Sequence, residues 1–327
     1  MLTYTNPVYD RYFADPFVWR HEGTYYAIGT GRPEQEGTDD YGGKPRVLPL
    51  LQSADFVHWQ FVGGALERPD PALGDEFWAP EIAFHDGTFY LYYSVGTGDK
   101  GHHIRVATSR SPTGPYVDNG RPLIDPAACP FSIDAHPFQD DDGRWYLFYA
   151  RDFLDTEEGA RAGTALAVDR LLDMTRLAGE ERVVLRARHE WQRFLANRTM
   201  YERVWDWHTL EGPFVRKHKG RYYCLYSGGN WHTEGYGVDY AVADHVFGPY
   251  SDRGGENGAR VLRSVPSHVR GPGHNSVVLG PDGRTEYVVY HAWDENETAR
   301  RLCLDRLIWT DDGPRCDGPT WTPQTLR

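Results

Sequence analysis

Residues Arg11–Gly29 read RYFADPFVWRHEGTYYAIG, and the run divides at Gly23. Before that glycine, Asp15 sits among Phe13, Ala14, Pro16 and Phe17; after it, Tyr25, Tyr26, Ala27 and Ile28 make a short strand-like run. An Asp ahead of Pro often opens a turn, so Asp15 on its own has an ordinary explanation. The same layout of polar turn, glycine and aromatic strand then returns along the chain. It reads FHDGTFYLYYS at Gly87, QDDDGRWYLFYA at Gly143, KHKGRYYCLYSG at Gly220 and, more loosely, GPDGRTEYVVYHAW at Gly283. Each copy predicts two short strands joined by a tight turn, a β-hairpin.

Nine residues back from the last four glycines stand Trp78, Asp134, Glu211 and His274; eight back from Gly23 stands Asp15. The intervals are 63, 56, 77 and 63 residues, which suits propeller blades of roughly 40–50 residues plus loops. LLQSADFVHW, IRVATSRSPTGPY and VDYAVADHVFGPY follow the first, second and fourth hairpins and echo one another as an outer strand pair would. The pattern predicts an all-β, five-bladed β-propeller, a single domain over residues 1–327 with no appended β-sandwich or carbohydrate-binding module. Asp15, Trp78, Asp134, Glu211 and His274 are then expected at equivalent positions, converging on one end of the central axis.

Composition agrees with a turn-rich β protein: 11 Trp, 21 Tyr, 35 Gly and 22 Pro punctuate short apolar runs. The formal net charge of −12 argues against nucleic acid or an anionic membrane as partner, since both select a basic face. The N-terminal residues lack a signal-peptide layout, and Cys129, Cys224, Cys303 and Cys316 form no CxxC pair. Buried free thiols in a cytoplasmic protein are the expectation. Two segments break the rhythm. GRPEQEGTDDYGGKPR (Gly31–Arg46) reads as a loop. Ala187–Leu210 carries a partly helical Trp191, Phe194, Leu195 spacing and reads as a surface connector, the alternatives being a pocket wall or a dimer contact. GTGDKG (Gly96–Gly101) satisfies a dinucleotide-loop pattern, but a strand-like run follows it instead of a helix. His102 and His103, adjacent on that run, face opposite ways and read as surface imidazoles.

Three carboxylates, Asp15, Asp134 and Glu211, meeting in one pocket would raise one another's pKa, and burial would add to this. A carboxylic acid kept protonated beside a better-solvated carboxylate is the equipment for hydrolysing a glycosidic bond. Clustered Trp and Tyr suit the apolar faces of sugar rings. Trp78 is expected to stack on substrate, and Trp231, in SGGNWHTEGYG, to line the pocket.

The motifs FADPF, FWAPEI, SIDAHPF, LEGPFV and GPGHNS occur in order, one per repeat, between Asn6 and about Pro314. With them the sequence resembles glycoside hydrolase family 43, inverting five-bladed-propeller enzymes acting mainly on arabinose- and xylose-containing polymers. The resemblance implies that Asp15 is the general base, that Asp134 orients the acid and tunes its pKa, and that Glu211 is the general acid. It implies that Glu81 supports the substrate site by hydrogen bonding and that Arg300 reaches the sugar, Arg301 being the neighbour to which this match could slip. His274 resembles the family histidine near the axis that holds water or Ca2+, so a Ca2+ ion held through water is the one cofactor expected. The substrate expected is an oligosaccharide, with exo-release of L-arabinofuranose from arabinan- or arabinoxylan-type chains. A β-D-xylosidase or bifunctional enzyme is the alternative, then an endo-arabinanase or exo-galactanase. A non-catalytic sugar-binding propeller would typically lack one of the three carboxylates, and all three are present. A retaining fructan-acting propeller would carry an NDPNG-like motif, which is absent.

Overall fold

A computed structural model describes residues 2–32, 45–252 and 255–327. Strand follows strand around a ring of five blades. Blade I comprises Ala14–His21, Thr24–Thr30, Arg46–Ser53 and Gln60–Glu67, and blade II Glu76–His85, Thr88–Thr97, Lys100–Ser109 and Val117–Pro122. Blade III runs Ser132–Gln139, Trp145–Phe153 and Gly163–Asp173, edged by the short strands Arg176–Leu177 and Arg182–Leu185. Arg203–His218, Arg221–Gly228, Gly237–Ala243 and Leu262–Arg263 form blade IV; Arg270–Leu279, Glu286–Trp293, Arg300–Thr310 and Gly313–Cys316 form blade V. Neighbouring strands within each blade are antiparallel, and every repeat glycine lies in the turn between its first and second strands. The first strands pack against one another around the axis, each touching the next and the fifth touching the first.

The aromatic second strands are explained by where their two faces go. Side chains alternate along a strand, and in a ring of blades both faces are covered. In blade II, Phe89, Leu91, Tyr93 and Val95 enter the cluster shared with blade I, whereas Tyr90 and Tyr92 enter the one shared with blade III. In blade III, Leu147 and Tyr149 face blade II while Tyr146 and Phe148 face blade IV. Leu225 and Tyr290 lie in the cluster between blades IV and V, and Tyr287, Val289, Tyr25 and Leu51 in the cluster between V and I. The ring is closed by the chain ends: Thr3–Tyr4 pairs with Gln324–Thr325, and Asn6 exchanges two 2.9 Å hydrogen bonds with the backbone of Leu304.

Some expectations are corrected. Ala187–Leu210 gives one short 3-10 turn, Glu190–Gln192, and then the strand Arg193–Met200, which folds back on Arg203–His218. Pairing with a long neighbouring strand overrides the local helical spacing; Tyr201 and Glu202 make the turn with φ of 52° and 60°. His102 and His103 are buried, not surface imidazoles: the His102 ring stacks on Trp78 with centroids 3.5 Å apart. Among the thiols, all free, Cys316 is partly exposed and the other three are buried. Of the Gly31–Arg46 loop, residues 33–44 lie outside the described residues. No helix among the described residues is long and apolar enough to cross a membrane.

Candidate active site

One backbone device builds the site five times. Each innermost strand carries a bulge in which two residues oppose one on the second strand: Asp15-Pro16, Ala79-Pro80, Asp134-Ala135, Gly212-Pro213 and His274-Asn275. The first residue of each pair has φ of 49°, 43°, 59°, 56° and 49° respectively, in the left-handed region. Such bulges re-aim side chains beside active sites, and non-glycine residues persist in this conformation only where the surroundings impose it. The equivalent positions are therefore Asp15, Ala79, Asp134, Gly212 and His274, which corrects the expectation for Trp78 and Glu211. Each of these two stands one residue earlier. Blade IV favours glycine, because a Cβ on Gly212 would lie 3.2 Å from the His274 ring and crowd it. Glycine fills the bulge there, and the carboxylate is carried by the residue before it.

Asp15 is gripped from two blades, and the grip is tied to a third through Thr30. Thr30 of its own blade donates to Oδ2 at 2.6 Å and accepts the Ala79 N–H of blade II at 2.9 Å. From blade V, Arg300 Nη1 donates to Oδ1 at 3.2 Å, His274 Nδ1 lies 3.4 Å from Oδ1, and His291 Nδ1 accepts the Asp15 N–H at 3.1 Å. Burial pushes the carboxyl up, but Arg300, His274 and His291 outweigh it and hold Asp15 well below the usual carboxylate range. Burial pushes His291 down to about 4 against the pull of Asp15, so at neutral pH its Nδ1 is free to accept.

Asp134 and Glu211 are treated in the opposite way. Burial, then the charges of Glu211 and Asp15, raise Asp134 well above its ordinary value, while its Oδ2 accepts the Gly212 N–H at 2.9 Å. That bond fixes Asp134 beside the residue following Glu211. Burial drives Glu211 up to about 7, opposed by a hydrogen bond from Tyr236 and reinforced by the Asp15 charge. The Tyr236 hydroxyl donates to Glu211 Oε1 at 2.6 Å. Near neutral pH the site thus holds an ionised Asp15 and a Glu211 able to keep its proton, a base and an acid in one cavity.

Asp15, Asp134, Glu211, Trp78, Trp231, His274 and Arg300 all line one pocket of about 530 Å³. Arg300 Nη2 donates to the Tyr12 hydroxyl at 2.7 Å, and its guanidinium lies 4.6 Å from the Trp231 ring centroid. Arg301 instead turns to Asp294 at 3.0 Å, so the match belongs to Arg300. Glu81 departs from expectation. It does not line the pocket but accepts from His136 Nδ1 at 2.7 Å, and His136 Nε2 accepts the Val215 N–H at 3.0 Å. The bulge shifts the strand's register after Trp78, so Glu81 packs between blades instead of into the channel.

Thr30, His291 and Tyr236 were not anticipated, whereas Phe194, Leu195 and Arg198 line the pocket as the pocket-wall alternative for Ala187–Leu210 expected, not the surface-connector reading. The first two did leave a signal. Thr30, Ser94, Ala150, Ser227 and His291 each pair with the residue just before or at the bulge, and each ends its aromatic run: AIGT, LYYS, LFYA, CLYS, VVYH. Ser227 uses this place to accept the His274 N–H at 2.7 Å. Tyr236 lies between strands, where no repeat marks it.

The fit of Ca2+ near His274 can be judged from donor chemistry. The ion takes about six to eight oxygen ligands. His274 Nδ1 faces Asp15, and among the described residues no group of three or more His, Cys, Asp or Glu is placed to hold a metal. The described residues therefore form no direct ligand cage, an ion held through water would rest on His274 alone, and no step below passes through a metal.

The comparisons with known proteins agree with this fold and with a glycoside hydrolase. The profile of Glycosyl hydrolases family 43 matches residues 4–314. A β-D-galactofuranosidase of Aspergillus niger is 29% identical over 321 residues, covering 94% of this chain and 83% of its own. An extracellular endo-α-(1→5)-L-arabinanase of Bacillus subtilis is 25% identical, covering 92% of this chain and 86% of its own. The crystal structure of a thermostable family-43 glycoside hydrolase superposes with a TM-score of 0.82 at 31% identity, over 99% of this chain and 98% of that one. With the profile spanning nearly all of the sequence and the propeller shared, the chain belongs to glycoside hydrolase family 43.

Proposed function

We propose that this glycoside hydrolase is an inverting, exo-acting enzyme that releases L-arabinofuranose from arabinan- and arabinoxylan-type oligosaccharides. The observation that supports the mechanism is the divided protonation of two carboxyls in one pocket. Asp15 is held ionised chiefly by the Arg300 guanidinium, whereas burial pushes Glu211 up to about 7. Asp15 takes a proton from the attacking water while Glu211 gives one to the departing oxygen from the opposite face, in a single step. Asp134 accepts the Gly212 N–H beside Glu211, and burial together with the Glu211 and Asp15 charges disfavours its own ionisation. Arg300 and Trp231 frame the sugar, and Trp78, backed by His102, offers a flat face to it.

The choice of arabinofuranose is supported by relatives whose names include arabinofuranosidases and a galactofuranosidase, both denoting five-membered sugar rings. Others are named as xylosidases, which keeps β-D-xyloside as the second reading. Rates on 4-nitrophenyl α-L-arabinofuranoside, β-D-xyloside and β-D-galactofuranoside decide between them. The arabinofuranoside is expected to be fastest by tenfold or more, and a faster xyloside overturns the substrate assignment. NMR of the first-formed sugar is expected to show the inverted anomer.

The acid makes a further prediction. Activity should fall as pH rises past about 7, where Glu211 loses its proton. The Tyr236 hydrogen bond favours ionised Glu211, so Tyr236→Phe removes a lowering influence and the alkaline limb of kcat/KM should move upward. A hydrogen bond to a charged group is worth about 1.5–3 kcal/mol, which corresponds to roughly one to two pH units. A limb that stays in place, or moves down, refutes Tyr236 as the residue setting the acid.

A further inference from the structure

The hairpin of Arg193–Met200 and the first half of Arg203–His218 belongs to blade IV, yet it reaches two other blades. At its base, Gly163 and Thr164 of blade III pair in parallel with His208 and Thr209. At its tip, the Tyr201 hydroxyl donates to Asp152 Oδ2 of blade III at 2.8 Å. Between these points Arg198 Nη2 donates to Asp99 Oδ2 at 2.5 Å, and Asp99 sits on the turn that joins Thr88–Thr97 to Lys100–Ser109 in blade II. The hairpin therefore passes over blade III and is clasped on its far side. Phe194, Leu195, Arg198 and Asp99 line the same pocket as Asp15 and Glu211.

We propose that this strap determines that the enzyme attacks chain ends. By walling the pocket over blade III, it prevents a glycan from running across the propeller face, so only a terminal sugar reaches Asp15 and Glu211. The inference rests on the exo reading above and names the residues responsible for it. An exposed ion pair alone would hold such a wall weakly, at about 0–1 kcal/mol. Here the Arg198 side chain is only 14% exposed, with its guanidinium 4.8 Å from the Phe194 ring centroid and 5.4 Å from that of Trp207. Packing thus fixes the cation before Asp99 engages it, and Tyr201 provides a second, independent anchor. In an open groove, the next sugar on this side would take the volume that Phe194, Leu195 and Arg198 fill.

The test is the product profile from a linear α-(1→5)-arabinan, or from β-(1→4)-xylan if the aryl glycosides favour xyloside. Wild-type enzyme should release the monosaccharide alone. Arg198→Ala combined with Tyr201→Phe should raise the ratio of longer products to monosaccharide at least tenfold, and Arg198→Lys, which keeps the cation, should restore the wild-type profile. Asp99→Ala alters an exposed turn, remains informative if the double variant does not fold, and should raise the ratio at least threefold. Monosaccharide alone from Asp99→Ala and from any folded double variant overturns the strap while leaving the exo reading intact. Longer products from the wild type overturn both.

Discussion

Replacing Asp15 by alanine is expected to lower turnover by about 10²–10⁴-fold, and by similar factors on activated aryl glycosides and on natural oligosaccharides. The base acts on water, so its removal hurts whatever the leaving group is. The substitution also strands Arg300, whose side chain is only 12% exposed and which donates through Nη2 to the Tyr12 hydroxyl. Removing one partner of a buried ion pair costs about 3–5 kcal/mol, so a lower melting temperature is expected together with the lost activity. Asp15→Asn separates the two effects. It retains the volume and an oxygen for the Thr30 hydroxyl, so it should melt nearer the wild type yet be almost as inactive. An Asn variant with near wild-type turnover would show that Asp15 is structural.

Glu211→Ala should behave differently on different substrates. On an oligosaccharide, whose leaving oxygen must be protonated, the loss should reach about 10²–10⁴-fold. On 4-nitrophenyl or 2,4-dinitrophenyl glycosides, whose leaving groups depart as stable anions, much of kcat should remain. The alkaline limb attributed to Glu211 should vanish with the side chain. Plotting log kcat against leaving-group pKa should give a steep slope for the variant and a shallow one for the wild type. Equal losses on both substrate classes would show that Glu211 is not the proton donor.

The fold was legible because a propeller repeats its instructions. Five glycine turns, each followed by an aromatic strand, encode hairpins whose second strands are covered on both faces. Tyr92 and Tyr93, adjacent in sequence, serve different blade interfaces for that reason. Asp15, Asp134 and His274 were legible because bulge and turn are nearly equidistant. The same counting placed Trp78 and Glu211 one residue from the true equivalents, since a left-handed residue in a bulge leaves no mark when alanine occupies it, as at Ala79. Thr30 and His291 were readable in hindsight, as the residues ending the aromatic runs. Tyr236, Arg198 and the strap were not, because their positions follow from tertiary pairing of inserted segments that no other blade repeats. His102 was misread because an imidazole held against Trp78, with Nε2 donating to the Gly98 carbonyl at 2.9 Å, has the same local sequence as an exposed one.

The grip on Asp15 has a consequence for when the enzyme comes to exist. Asp15 emerges from the ribosome long before His291 and Arg300, which lie 276 and 285 residues further along. N-terminal segments fold first as a chain is made, yet here the first blade must wait for the fifth before its carboxylate has a cationic partner. A chain stopped after four blades would contain Asp15, Asp134 and Glu211 but lack Arg300, His274 and His291, which surround the first of them. The proposed base thus gains its cationic partner in one late event, when the first and fifth blades meet, and a product truncated before blade V is expected to carry all three carboxyls and be inactive.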